Sequence, residues 1–154
     1  MNKVIMAALL GSSIFLSNLV LAEDLTVYQK QAAIKKFDLG EKGDSVGDIY
    51  TRIGNLYFKL DGPVVGKLYT NAIVTHIEKN SDWRQVTSEF NLPEGEILTM
   101  DYVKADELGI AVGQGFKQRG VILGGTGIYS GIRGSFDRSF KTDGDATVIF
   151  HIQK

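Results

Sequence analysis

The chain has 154 residues, a formal net charge of −1 and no cysteine. That length suits a single domain behind a short leader, and the near-neutral balance argues against nucleic acid or an anionic membrane surface as a partner. Without thiols there are no disulfides and no thiolate chemistry, so stability must come from an apolar core and complete strand pairing.

Residues 1–22 read as a secretory signal peptide. One positive charge at Lys3 precedes an apolar run from Val4 to Leu21, and Val20-Leu21-Ala22 offers small or medium residues before a cleavage point at Glu23. The alternative is an uncleaved anchor, against which stand the polar breaks at Ser12-Ser13 and Ser17-Asn18. Cleavage predicts a periplasmic or secreted protein, residues 23–154, with no membrane attachment thereafter. One of the 17 basic residues, Lys3, lies in the leader, which leaves 16 basic against 18 acidic side chains, a net charge of −2.

The rest of the chain alternates apolar and polar residues between Gly, Asp and Asn breaks, and helical periodicity is nearly absent. The first strand starts at Leu25 and runs to Gln31 or on to Phe37. Glu41-Lys42-Gly43-Asp44 is a turn. Ser45 to Lys59 makes one bent strand or two short ones, with Gly54 as bend or bulge. Asp61-Gly62-Pro63 turns the chain into Val64–Glu78, where Leu68, Thr70, Ala72, Val74 and His76 share a face. After Lys79–Asp82, Trp83–Leu92 turns at Pro93-Glu94-Gly95 and returns as Glu96–Val103. Lys104–Lys117 is irregular. Gln118–Leu123, Gly131–Phe140 and Ala146–Ile152 supply the last strands, with an Asp-Gly hairpin at Thr142-Asp143-Gly144. About eight strands at such spacing predict an all-β fold, a sandwich or a barrel, and closure would leave no free edge.

Several strands are apolar on both faces, which predicts either a homo-oligomer that covers the outer wall or an apolar pocket within. Candidate functional residues follow. Arg133, just past the glycine corner at 124, 125, 127 and 131, either presents its fork to a carboxylate or phenolate at the mouth or lumen, or points outward and pairs with Asp137 or Asp48. Asp48 and Arg52 share a strand face, as a polar pocket end or a solvated outer pair. Asp101 is either a buried carboxyl of raised pKa, able to act as an acid, or an exposed group beside Lys104. His76 is an acid or base in the lumen or a half-exposed strand-end residue. Tyr57, Phe90 and Tyr102 belong to an aromatic set that lines a cavity or fills the core. Two distant histidines give no metal signature.

The segment Gly124-Gly125-Thr126-Gly127-Ile128-Tyr129-Ser130-Gly131-Ile132-Arg133-Gly134 resembles the glycine-rich motif of dirigent proteins. Gly43-Asp44-Ser45-Val46-Gly47-Asp48, the strand ending Leu56-Tyr57-Phe58, Val65-Gly66, and Phe90 with its following turn match in the same order. Over roughly Leu25 to Ile152 the chain is similar to the allene oxide cyclase and dirigent group. The resemblance implies a closed eight-stranded antiparallel barrel, no cofactor, and a small hydrophobic molecule guided through coupling or ring closure in the lumen. It aligns Gln29 and Gln31 with the glutamate and asparagine that handle substrate in allene oxide cyclases. Glutamine cannot serve as a carboxylate base, which argues against that particular reaction. Three roles stay open: a cyclase- or isomerase-like enzyme, a non-catalytic carrier or sensor of an apolar ligand, and a filled barrel used for protein contacts. Free lumen space of ~300 Å³ or more keeps the first two open, and a filled lumen leaves only the third.

Overall fold

The structure, a computed structural model, describes residues 22–106, 117–141 and 145–153. The predicted leader up to residue 21, most of the irregular 104–117 stretch and the 142–144 turn lie outside the described residues. Eight strands follow one another around a closed antiparallel barrel. They are β1 (Ala22–Phe37), β2 (Ile49–Tyr57), β3 (Gly66–Glu78), β4 (Ser81–Leu92), β5 (Gly95–Asp106), β6 (Lys117–Gly125), β7 (Arg133–Phe140) and β8 (Ala146–Gln153). β1 closes the ring, pairing with β2 from Tyr28↔Tyr57 to Phe37↔Ile49 and with β8 from Ala22↔Gln153 to Gln29↔Ala146. Each strand thus spends its backbone polar groups on two neighbours, which meets the demand for pairing without disulfides.

Several boundaries shift by one to three residues, Ser81 and Asp82 joining β4 instead of the turn before it, and the first two strands settle as follows. The first strand takes its longer form, to Phe37, with a bulge between Gln31 and Ala33. The Ser45–Lys59 stretch holds a single strand from Ile49 to Tyr57, and residues 45–48 belong to the preceding loop. The β3–β4 hairpin turns through Lys79-Asn80, flanked by the Glu78↔Ser81 pair. The β4–β5 hairpin turns through Pro93-Glu94, flanked by Leu92↔Gly95.

Alternation sends every second side chain inward, and the inward set divides along the barrel axis. One half is an apolar plug of Val27, Leu56, Leu68, Phe90, Ile97, Ile122, Phe136, Val148 and Phe150, closed below by Tyr129 and Ile132. Phe90 and Phe150 meet edge to face, ring centroids 4.9 Å apart. The glycine-rich corner between β6 and β7 closes this end. A single 3-10 turn, Gly127–Tyr129, lies against the β4–β5 turn. There the N–H groups of Thr126 and Ile128 donate to the carbonyls of Glu96 and Glu94 at 3.0 and 3.1 Å. Gly127 has φ +59°, and a Cβ built on it would lie 2.1 Å from the Glu94 carbonyl oxygen. Gly125 and Gly127 therefore serve close backbone packing at the shut end of the barrel, whereas Gly124 and Gly131 have open space around them and serve the positive φ of the corner.

The other half differs. Towards the end where β1, β3, β5 and β7 finish, the inward positions carry Gln29, Arg52, Thr70, Arg84, Ser88, Asp101, Gln118 and Arg138. The expectation of a greasy lumen with a polar rim is corrected here: the apolar half is solid core, and the polar groups sit within the barrel.

Candidate functional site

The polar half of the lumen is built by strand parity. On β7, Phe136, Arg138 and Phe140 are inward and buried at period two. On β4 the inward series is Asp82, Arg84, Val86, Ser88 and Phe90. On β5 it is Ile97, Thr99, Asp101, Val103 and Ala105. β2 adds Arg52 and Tyr50, β3 adds Thr70 and Ala72, β1 adds Gln29, and β6 adds Gln118. Between them lies a narrow cavity with about 30 Å³ of free space, enough for one or two waters. Arg52, Arg84, Arg138, Gln29, Gln118 and Thr70 supply its polar lining, and Ala72, Val86, Val103, Ala105 and Phe140 its apolar walls.

The three guanidiniums are held differently. Arg84 is 2% exposed and forms a bidentate pair with Asp82, two residues away on the same face, at 2.5 and 2.6 Å. Its Cζ lies 3.6 Å from the ring centroid of Tyr50. Arg138 is 4% exposed. Its Cζ lies 5.6, 5.3 and 5.9 Å from the ring centroids of Phe90, Phe136 and Phe140. One terminal nitrogen reaches the Ser88 hydroxyl at 3.5 Å, and Nε meets no acceptor among the described residues. Burial pushes the Arg138 pKa down, against the pull of Asp101. Arg52 is depressed to about 10, first by burial and then by repulsion from Arg84 and Arg138. Three cations lining one buried cavity are expensive, and core packing alone gives no reason for them.

Asp101 faces this cluster. Burial raises its carboxyl pKa to about 6, partly offset by Arg138. The Gln118 side-chain amide donates to its Oδ2. Asp101 also borders an outer crevice with Tyr102, Arg119 and Gly120. Among the described residues, the β5–β6 pairing ends just before it, at Met100↔Val121. A carboxyl titrating near neutrality, set between a buried guanidinium and the outside, can exchange a proton with a bound molecule.

The structure separates the residues expected from sequence. Gln29, Asp101 and Phe90 are inward, Gln29 on the cavity and Phe90 in the plug beneath Arg138. Asp48 is fully buried but belongs to the loop before β2. It accepts the N–H groups of Leu39 and Ser45 at 2.8 and 3.0 Å, the Ser45 hydroxyl at 3.0 Å, and the Lys36 ammonium at 3.0 Å. Burial opposes its ionisation, but these donors outweigh burial and hold its carboxyl well below the usual range. Asp48 organises that loop and is not a polar pocket end shared with Arg52.

Arg133 is exposed, five positions from Arg138 and so on the opposite face of β7. Its expected place in the mouth or lumen is corrected: the inward arginine is Arg138. Asp137, considered as its partner, is held instead by Arg119 at 2.7 Å and by His151 at 3.2 Å. His76 also turns outward. A bulge between Val74 and His76 in the β3–β4 ladder reverses the alternation that placed it beside Val74. Tyr57 lies on the outer parity of β2, with the Lys30 ammonium 5.4 Å from its ring centroid. Tyr102 is exposed, stacks on Trp83 at 5.3 Å and shares a 2.8 Å hydrogen bond with the Thr75 hydroxyl. Arg138, Arg84, Gln118 and Thr70 were not singled out from sequence. For Arg138 the signal was present in Phe136-Asp137-Arg138-Ser139-Phe140, where two aromatic residues at ±2 mark the inward face.

No protein-family model and no curated protein sequence matches the chain. Solved structures do. Pyocyanin demethylase superposes with a TM-score of 0.67 at 22% identity, over 84% of this chain and 99% of that one. The Diels-Alderase of Streptomyces koyangensis gives 0.61 at 16%, over 85% of this chain and 63% of that one. A pterocarpan synthase dirigent protein gives 0.57 at 18%, over 86% and 83%. At such identities the likeness is one of fold, and it establishes the dirigent-like closed barrel.

Proposed function

We propose that the barrel binds a small organic molecule in the polar half of its lumen and guides a cofactor-free cyclisation or isomerisation of it. The observation that carries this reading is the convergence of Arg52, Arg84 and Arg138 on one narrow cavity, with the buried Asp101 carboxyl near enough for its charge to act on Arg138. Buried charges of this kind weaken a core, and fixed charges aimed into a cavity shielded from bulk water are what stabilise charge developing in a reacting molecule. Asp101 supplies a proton-transfer group, the arginines receive negative charge, and Ala72, Val86, Val103, Ala105 and Phe140 shape the apolar remainder. Barrels of this fold include proteins named as a demethylase, a Diels-Alderase and a pterocarpan synthase, all directed at small molecules.

One observation favours a second reading. The free space of about 30 Å³ falls far below what an organic ligand occupies. A ligand must therefore move long side chains aside, and a barrel that never does so would be a non-catalytic wall for contacts outside. Exposed Ile53, Tyr69, Ile73, Leu98, Val121 and Leu123 on the outer wall suit the homo-oligomer proposed from sequence. We also keep export to the periplasm or exterior as a proposal, resting on the leader.

Native mass spectrometry of protein purified from its own host tests these together. The expected result is an oligomer, beginning at residue 23, that carries a bound small molecule which Arg138→Gln no longer retains. A ligand-free protein that also gives no thermal shift across a metabolite panel would overturn the lumen reading.

A further inference from the structure

Resting on that reading, we infer that the molecule taken into the lumen is an organic acid whose oxyanion is received by the Nε edge of Arg138. Four observations lead there. Arg138 is 4% exposed and lines the cavity, so its donors have no bulk water to turn to. Its Cζ is surrounded by three phenylalanine rings, which attract the positive charge through their faces but accept no conventional hydrogen bond. Its Nε meets no acceptor among the described residues, and its hydrogen bond to the Ser88 hydroxyl is long at 3.5 Å. The acids nearby are already engaged: Asp82 grips Arg84 with both oxygens, and Asp101 receives the Gln118 amide.

Charge decides between an acid and a neutral carbonyl compound. Arg138 carries a full positive charge, and among the described residues no carboxylate is hydrogen-bonded to it: Asp82 is taken by Arg84, and Asp101 acts on it only through its field. A neutral acceptor would satisfy Nε and leave that charge without a counter-ion in contact. An oxyanion answers both, and a planar carboxylate, enolate or phenolate matches the edge of a guanidinium. The free space of about 30 Å³ beside Arg138 is of the size of such a head group. The remainder of the molecule would lie along Val86, Val103 and Ala105, in the direction of the polar end.

Arginine Nε–H resonances report the contact directly. The experiment titrates ¹⁵N-labelled full barrel with two pairs of probes, acetate against acetamide and benzoate against benzamide, each pair alike in shape and different in charge. The Arg138 signal is identified by its loss in Arg138→Lys, and independently by through-bond assignment of the wild type should that variant not fold. The expected result is a saturable shift of the Arg138 Nε–H with the acids, at concentrations at least tenfold below those needed with the amides. Equal response to acid and amide overturns the inference and leaves the lumen reading intact. So does a host-purified protein that carries a neutral molecule while neither acid moves the signal. No response to any probe, together with no bound molecule by native mass spectrometry, removes both.

Discussion

The guanidinium of Arg84 lies 3.6 Å from the ring centroid of Tyr50, and the Tyr50 hydroxyl donates to Asp44 at 3.3 Å. One tyrosine thus joins a charge inside the lumen to the loop outside it, because Asp44 in turn holds Lys36, which also pairs with the buried Asp48. Tyr50→Phe keeps the ring and loses only the hydroxyl bond, so its cost should stay below about 1 kcal/mol. Tyr50→Leu removes the cation–π partner as well and should cost about 2 kcal/mol. Urea unfolding of both variants checks the ordering. Equal losses would show that the ring contributes nothing to holding Arg84.

Asp101 gives a pH signature of known sign. Its folded pKa, about 6, lies above the ordinary carboxylate value of 3.8, so the folded protein binds more protons between those limits than the unfolded chain. Stability should therefore fall as pH rises from about 4 to about 6, by an amount on the order of 2 kcal/mol. Asp101→Asn should remove that fall, matching wild type at pH 4 and exceeding it at pH 7. Melting temperatures across this range decide the matter, and a difference between the two proteins that does not vary with pH would contradict it.

Asp48 acts in the opposite sense. Its folded pKa is depressed, so the stability it adds is present at neutral pH and is lost as pH falls below about 4. Asp48→Ala leaves the N–H groups of Leu39 and Ser45 without their acceptor and should cost about 3 kcal/mol at pH 7. Hydrogen exchange would locate the damage in residues 38–48, and protection there equal to wild type would refute the assignment.

At the closed end, Gly127→Ala should be among the most damaging single changes. Its Cβ would meet a backbone carbonyl at 2.1 Å, at φ +59°, where side chains are rarely tolerated. A loss of about 3 kcal/mol or failure to fold is expected. Gly43→Ala is the control: its φ of +113° is also unusual, but nothing lies within 4 Å of the added carbon. Circular dichroism melts of the pair separate crowding from backbone strain.

The barrel was legible because alternation and turn chemistry act locally. Leu68-x-Thr70-x-Ala72-x-Val74 names its own inward face, and the two-residue turns at Lys79-Asn80 and Pro93-Glu94 fix their hairpins. The site was less legible because parity does not survive irregularities. One bulge beyond Val74 sends His76 outward. At the glycine corner a 3-10 turn intervenes before β7, so the parity of Arg133 could not be carried across from β6. Counting from Phe136 and Phe140 would have found Arg138. Asp48 resembled a strand residue because its neighbours alternate, whereas its donors, Leu39 and Ser45, come from a loop whose shape sequence spacing does not disclose.

The Ala22↔Gln153 pair has a practical consequence. The first strand begins and the last strand finishes side by side, next to the phenylalanine-packed half and far from the arginine-bearing half of the lumen. Appendages joined ahead of the first strand or behind the last would leave the barrel at the plug end, so labelled versions should admit the same molecules as the untagged one. The seam between these strands is also a natural place to rejoin the polypeptide, and a circularly permuted barrel cut at Lys79-Asn80 should close in the same order.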